Sequence, residues 1–363
     1  MKVSRRQIVS WSLLALFLIM VWVIQSSPLL GEWYARKIYP PVAYVLSSFS
    51  SLLPFSVGDI YIVLTTTCIL VMIFRLFTRK EKRGKHFIRL ITFCGWIYVW
   101  FYLAWGLNYF RQDFYTRTQI PRAQYTADTF KDFLKDYVKE LNESYTATDT
   151  INTVVVAQEA KSGYRELTDL FGTTPPAGGL KVKNMLSSRL MSKMGISGYM
   201  GPFFTEFNLN KALLPSQYPA TYTHEMAHRL SIANEAEANL YAWIVCTSST
   251  DSLMRFSGHL SLLGYIAQNA SSLLSETEYK EFTDSIRPEI RTLYARNHEH
   301  WRSMYSPVIG KIQNYFYNLF LKSNRIASGT KNYSEVVGLL ISYQEYEKAI
   351  AANTSSNRDT NDG

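Results

Sequence analysis

His224-Glu225-Met226-Ala227-His228 sets the expected fold for the second half of this 363-residue chain. On a helix, His224 and His228 are four residues apart and point the same way. Two imidazoles at that spacing can bind one zinc ion. Glu225, beside the first histidine, can accept a proton from zinc-bound water, whose pKa the metal lowers to about 7. The chain has only six histidines, so we interpret this H-E-x-x-H pattern as a metal site rather than as two surface histidines.

A catalytic zinc needs a third protein ligand and one open position. Asn234 is a suitable N-cap, which makes Glu235 the first residue of a second helix. One stripe of that helix then holds Glu235, Ala238, Asn239 and Ala242, and the two alanines permit close packing on the metal helix. We expect Glu235 to be the third ligand and Asn239 to support it from behind. Glu237 is the alternative ligand, and it also fits the glutamate of a capping box with Asn234.

Peptide hydrolysis also needs a donor for the oxyanion of the tetrahedral intermediate. The candidate donors are Tyr199, Tyr222, Tyr241, His259 and Tyr265. The chain has 25 tyrosines, so a purely structural role is the default for each tyrosine. We retain Tyr199 and His259 as candidate oxyanion or substrate contacts.

Three apolar runs precede this region, at about residues 8–24, 60–74 and 88–109. Each is long enough to approach the thickness of a bilayer, and the third is rich in tryptophan and tyrosine. A signal peptide is the rival interpretation of the first run, although Pro28 fits a cleavage site poorly. We therefore expect residues 1–110 to form a three-helix transmembrane region that contacts lipid.

The formal net charge of +9 is concentrated beside these runs. Lys2, Arg5 and Arg6 precede the first run, and residues 75–89 hold seven basic residues and one glutamate, whereas residues 111–363 have 26 basic and 26 acidic residues. The positive-inside rule then predicts a cytoplasmic N-terminus in the cytoplasmic (inner) membrane and an extracytoplasmic second half, which is periplasmic in a bacterium with two membranes. Basic residues placed this way give no reason to expect nucleic-acid binding.

The remaining sequence predicts a mostly α chain with a small β component. Helical periodicity covers residues 127–145, 155–171 and most of 217–350, and residues 205–210 alternate like a strand. We expect that strand either to border the cleft, where an extended substrate could pair with its edge, or to form a plain structural hairpin. Residues 351–363 are small and polar and are expected to be a disordered tail.

At these residues the sequence resembles a bacterial membrane-protein family catalogued as domain of unknown function 3810. The resemblance rests on the three apolar runs, Pro54-Phe55-Ser56-Val57-Gly58-Asp59, Gly198-Tyr199 with Pro202-Phe203, the histidine motif, Glu235-Ala236-Glu237-Ala238-Asn239, Arg255-Phe256-Ser257-Gly258 and Tyr333-Ser334-Glu335-Val336-Val337. The family looks like gluzincin-type zinc peptidases, which implies an α+β zincin-like domain over residues 111–350 and again selects Glu235 as ligand. Ser231 departs from the glycine that many relatives have there, which puts the turn after the second histidine in question.

These observations predict a membrane-anchored zinc metallopeptidase with one Zn²⁺ per chain and a peptide or protein substrate in the cell envelope. The alternative is a non-catalytic, zinc-stabilised sensor or scaffold of an envelope complex. Glu225 separates the two, because a structural zinc site needs no general base. An intramembrane protease is disfavoured because residue 224 lies 115 residues beyond residue 109, in a polar region.

Overall fold

The computed structural model describes residues 4–147, 149–177 and 181–359, which are mostly helical. The helices are α1 (Arg5–Ser26), α2 (Pro28–Trp33), α3 (Tyr39–Ser51), α4 (Val57–Thr78), α5 (Arg83–Ala104), α6 (Phe114–Thr118), α7 (Ala127–Glu143), α8 (Thr153–Glu166), α9 (Thr168–Phe171), α10 (Ser188–Lys193), α11 (Tyr218–Arg229), α12 (Glu235–Thr247), α13 (Ser252–Leu273), α14 (Glu276–Ser285), α15 (Pro288–Met304), α16 (Pro307–Ser323) and α17 (Val336–Asp359). A π-helical turn covers Tyr34–Ile38, and 3₁₀ turns cover Lys80–Lys82, Gly106–Phe110 and Gly329–Glu335. The strands are β1 (Lys183–Asn184), β2 (Gly198–Gly201) and β3 (Glu206–Leu209).

Helices α1, α4 and α5 have the length and composition needed to cross a membrane. Each has 22 residues, and the 18-residue apolar stretches within them have mean hydropathies of 2.3, 2.2 and 1.6. The three predicted apolar helices are therefore confirmed, and they support a membrane protein. The third ends at Ala104 rather than at residue 109, because Gly106–Phe110 turns into a buried 3₁₀ segment that packs in the protein core.

The segment between α1 and α4 folds against the rest of the molecule. The Tyr39 hydroxyl donates to the carbonyl of Arg229 at 2.9 Å. Thr205 Oγ1 donates to the carbonyl of Ala43 at 3.1 Å. Hydrogen bonds thus join residues on the two sides of residue 110, and the division of the chain into domains there remains a prediction.

The small sheet has the strand order β1-β3-β2, with β1 parallel and β2 antiparallel to β3. The alternating stretch at residues 205–210 does form a strand, β3, but that strand is central and all four of its residues are buried. Because β3 lies between two neighbours, it does not border a cleft, and of the two alternatives the hairpin is confirmed, formed by β2 and β3. The edge strand next to α11, the helix that carries His224 and His228, is β2.

Helix α12 lies at the centre of the helical part and packs against α11, α13 and α17. Its residues from Glu235 to Cys246 are almost all buried, so the helix is apolar on nearly every side. Two buried carboxylates, Glu235 and Glu237, nevertheless lie in its first turn. Buried charges require partners, so these two side chains mark where to look for a site.

The C-terminal helix is longer than composition predicts. Helix α17 runs to Asp359, and the disorder expected for residues 351–363 stays a prediction. Extending an existing helix costs little per residue, because only the first turn carries the nucleation cost. Residues 360–363 lie outside the described residues.

Candidate metal centre

His224, His228 and Glu235 meet at one point between α11 and α12. The Nε2 atoms of the two histidines are 3.0 Å apart, and each lies 3.2 Å from Oε2 of Glu235. Zinc bound tetrahedrally at about 2.0–2.1 Å would separate its ligand atoms by about 3.3 Å. The three atoms therefore form a triangle of the size expected for one face of such a tetrahedron, and the residues present fit a metal ion.

The His228 ring is held in the orientation that a ligand needs. Its Nδ1 lies 2.6 Å from the carbonyl of Ile232, which leaves the Nε2 lone pair directed at the triangle. The carbonyl of His228 accepts a hydrogen bond of 3.0 Å from Nε1 of Trp105, the residue that follows α5. The residue after α5 thus contacts α11 directly, although the two helices are far apart in sequence.

Glu235 begins α12, as the sequence predicts, and Asn234 caps the helix through the backbone N–H of Glu237 at 3.0 Å. Oδ1 of Asn332 accepts from the backbone N–H of Glu235 at 2.9 Å. The Tyr317 hydroxyl donates to Oε1 of Glu235 at 2.6 Å, so this oxygen is occupied while Oε2 lies at the triangle. Sequence reasoning missed Tyr317 and Asn332 because no motif links them to a glutamate more than 80 residues earlier.

The charges in the triangle are strongly coupled. Burial alone would raise the pKa of Glu235, but the two histidines, led by His228, hold this pKa well below its usual range. Burial alone would lower the pKa of His228, but the neighbouring Glu235 carboxylate raises it to about 9. Glu235 and His228 thus favour each other's charged forms, whereas a histidine must be neutral to bind an ion.

Glu225 lies beside the triangle and lines a cavity. Its side chain is buried, and burial raises its pKa although the two histidines oppose the shift. Oε2 of Glu225 has no hydrogen-bond partner among the described residues. On the other side, a Cβ atom at Gly198 would approach Oε1 of Glu225 to 2.6 Å, so β2 lies against the carboxylate because residue 198 has no side chain.

A cavity of about 790 Å³ opens onto His224 and Glu225. Residues Gly195 to Gly198 form one wall, and Asn239, Tyr265 and Tyr317 lie on others. Asn239 lines this cavity beside Tyr265, and its side-chain amide interacts with the Tyr265 hydroxyl. Asn239 is thus placed at the site as expected, but it lies in the cavity wall rather than behind the ligands.

The structure places Tyr199 and His259 elsewhere. Tyr199 follows Gly198 on β2, and successive side chains of a strand point to opposite faces, so its hydroxyl donates to Asp59 at the start of α4. His259 packs against Trp243, with 3.4 Å between Nδ1 and the indole nitrogen, and faces a different cavity. The oxyanion or substrate role considered for these two residues is therefore not supported.

Glu237, the alternative ligand, is also directed away from the triangle. Its carboxylate pairs with the buried guanidinium of Arg117, which also donates to the Tyr241 hydroxyl at 2.9 Å. One of the two hydrogen bonds of the expected capping box is present, because the Asn234 side chain accepts from the backbone N–H of Glu237. The Glu237 side chain does not bond to the backbone of Asn234 and pairs with Arg117 instead. Of the two glutamates, only Glu235 reaches the histidines.

The turn after the second histidine has the strain that its sequence suggested. Ser231 has a φ of +74°, in the left-handed region that favours glycine. Nη1 of Arg111 donates to Oγ of Ser231 at 2.6 Å and to its carbonyl at 3.2 Å. The same guanidinium forms a buried, two-pronged ion pair with Glu32, so a fixed cation holds the serine in this conformation.

Comparison with known proteins adds one match. The model of the family described as "Protein of unknown function (DUF3810)" matches residues 34–341, which include α4, α5 and the triangle of His224, His228 and Glu235. No curated protein and no solved structure matches the chain. Because the family model covers most of the chain, the protein belongs to the DUF3810 family.

Proposed function

We propose that this protein is a zinc-dependent metallopeptidase, anchored in the cytoplasmic membrane, that hydrolyses peptide bonds on the extracytoplasmic side. The observation that carries the proposal is the pairing of the metal-sized triangle with Glu225, whose buried Oε2 is unpartnered among the described residues. A buried carboxylate without a hydrogen bond is costly to stability. Buried titratable groups that lack a protein partner are typical of active sites, where they interact with substrate or water.

His224, His228 and Glu235 would hold the ion. When bound, zinc supplies a Lewis acid that polarises the scissile carbonyl and makes water a better nucleophile at neutral pH. Glu225 would take a proton from the attacking water and deliver it to the leaving nitrogen. Asn239 and Tyr265 would contact the substrate from the cavity wall.

Strand β2 favours an extended polypeptide as substrate. The backbone N–H of Asn210 donates to the carbonyl of Ser197 at 2.8 Å, and the register pairs Gly198 with Leu209. Hydrogen bonding alternates along an antiparallel pair, so the N–H and C=O groups of Gly198 point away from β3. A peptide lying in the cavity could pair with this edge beside Glu225.

The alternative is a zinc-stabilised sensor or scaffold without catalysis. A structural zinc site is closed by a fourth protein ligand. In the part of the chain that the structure describes, the metal-ligating group holds three residues, His224, His228 and Glu235. The cavity beside this group and the adjacent Glu225 favour the enzyme.

The test uses full-length protein in lipid nanodiscs and a fluorogenic peptide library. We expect Glu225→Gln to retain zinc while peptide cleavage falls by about 10²–10⁴-fold, the usual loss for a general base. Glu281→Gln, at an exposed position of α14, is the matched control and should cleave like the wild type. If Glu225→Gln cleaves at the wild-type rate with zinc bound, the enzyme proposal fails and the scaffold takes its place.

A further inference from the structure

Helix α16 has a wide apolar face that the protein itself leaves uncovered. Five large side chains on this face are between 48% and 69% exposed: Val308, Ile312, Tyr315, Phe316 and Leu319. At 100° per residue they span an arc of about 100°, a continuous stripe along the helix. Uncovered apolar stripes of this size mark surfaces that contact a membrane or another molecule.

The opposite face of α16 belongs to the candidate metal centre. Gln313, Asn314 and Tyr317 line the cavity, and Tyr317 holds Glu235. The helix therefore has the cavity on one face and the exposed apolar stripe on the other. Its sequence contains Lys311 and Lys322 and no acidic residue.

The C-terminal end of α16 is fixed to the end of a membrane-length helix. The ring of Phe320 lies 5.8 Å from that of Phe101 in the last turn of α5. Asn324, just after α16, accepts a hydrogen bond of 2.9 Å from the hydroxyl of Tyr102. The stripe thus begins where the exposed apolar surface of α5 ends.

The N-terminal end of α16 is also close to these helices. The N–H of Ser306 donates at 2.9 Å to Lys193, the last residue of α10. Just before α10, the N–H of Leu186 donates at 2.9 Å to Asp59 in the first turn of α4. Helix α10 is about 9 Å long, and α16 about 25 Å. Helix α16 is therefore connected at its C-terminal end to the last turn of α5 and, through α10, at its N-terminal end to the first turn of α4.

We propose that α16 lies in the interfacial layer of the same bilayer that α1, α4 and α5 cross, with its apolar stripe in the lipid and its cavity-lining face toward the protein. The apolar stripe adjoins the exposed apolar surface of α5, which is expected to contact lipid. We therefore infer that lipid rather than a protein partner covers the stripe. Lys311 and Lys322 flank the stripe on the side of Tyr315, where long basic side chains can reach phosphate groups. The cavity beside His224 then opens next to the membrane surface.

Photo-crosslinking tests the proposal without altering the cysteines. The full-length protein, with Phe316 replaced by benzoylphenylalanine, is irradiated in nanodiscs of phosphatidylethanolamine and phosphatidylglycerol, and adducts are identified by mass spectrometry. The same replacement at Phe74, exposed in α4, is the positive control, and at Glu281, exposed in α14, the negative control.

We expect phospholipid adducts at 316 at a yield near that at 74 and about tenfold or more above that at 281, since an interfacial helix buries its apolar face among acyl chains. Adducts at 316 no more frequent than at 281 would overturn the proposal. Crosslinks between two protein chains at 316 would also overturn it, because a second copy would then cover the stripe. Neither result depends on peptidase activity.

Discussion

At the scale of single residues, the ligands could be predicted because their geometry is local. His224 and His228 share a helical face, and Glu235 starts the next helix after a short turn. Spacing therefore indicated the two histidines and left Glu235 and Glu237 as alternatives for the third candidate ligand, of which the resemblance selected Glu235. Trp105, Tyr317 and Asn332 could not be predicted. They reach the site from distant parts of the chain, and no residue spacing records such contacts.

Gly198 shows how closely the sheet approaches the candidate base. A Cβ atom there would lie 2.6 Å from Oε1 and 2.9 Å from Cγ of Glu225, so an alanine would push the carboxylate out of its present position. We expect Gly198→Ala to retain zinc and to reduce peptide cleavage by about 10²-fold, the size of effect that a misplacement of about 1 Å produces.

Gly201→Ala is the matched control for this change, on the same strand. A Cβ atom there comes no nearer than 3.4 Å to a neighbour, the carbonyl oxygen of Glu206. Zinc content and cleavage rates of both variants decide the matter. Equal activity in Gly198→Ala and wild type would show that the contact between β2 and Glu225 does not position the carboxylate.

At the scale of elements, the strands were predicted less well than the helices. The period of residues 127–145 identified α7 correctly, since a long amphipathic pattern is distinctive. Alternation identified β3 but not its place in the sheet, because a strand's neighbours are set by non-local pairing. The short strand β2, with two glycines in four residues, carried almost no signal of its own.

The sheet is tied to the start of α4 through one buried carboxylate. Glu206 on β3 pairs with Lys183 on β1 and accepts from the backbone N–H groups of Val57 at 3.1 Å and Gly58 at 2.7 Å. The side chain thus fills the role of an anion at a helix N-terminus. These hydrogen bonds hold the N-terminal residues of α4, Ser56-Val57-Gly58-Asp59, against the sheet.

We expect Glu206→Gln to destabilise the protein by about 3–5 kcal/mol, because it leaves the buried Lys183 ammonium without a counter-charge. Thermal unfolding in detergent micelles measures the change. Glu289→Gln, which removes an exposed partner of Arg287, is the control and should unfold at the wild-type temperature. Unfolding of Glu206→Gln at that same temperature would contradict the role assigned to this ion pair.

At the scale of the whole molecule, distance along the chain was a poor guide to distance in space. The metal motif lies more than 100 residues after α5, yet Trp105 contacts His228, with ring centroids 6.3 Å apart. The segment between α1 and α4 likewise folds onto the metal helix through Tyr39. Hydropathy identified the three membrane-length helices, but it gave no information on what packs at their ends.

The orientation of the chain is a further prediction at this scale. Basic residues cluster at the start of α1 and around the connection between α4 and α5, so the positive-inside rule places both regions in the cytoplasm. A reporter that is active only outside the cytoplasm should be active when fused after Gly363 and silent when inserted near Gly84. The reverse pattern would contradict the proposed extracytoplasmic location of the metal centre.

The central claim is that His224, His228 and Glu235 together hold one zinc ion. Elemental analysis of the purified full-length protein and of three variants tests it most directly. We expect one zinc per wild-type chain, loss of zinc in the His224→Ala, His228→Ala double variant and in Glu235→Gln, and normal zinc in Glu237→Gln, whose side chain pairs with Arg117 instead. Wild-type zinc in the double histidine variant would contradict the claim.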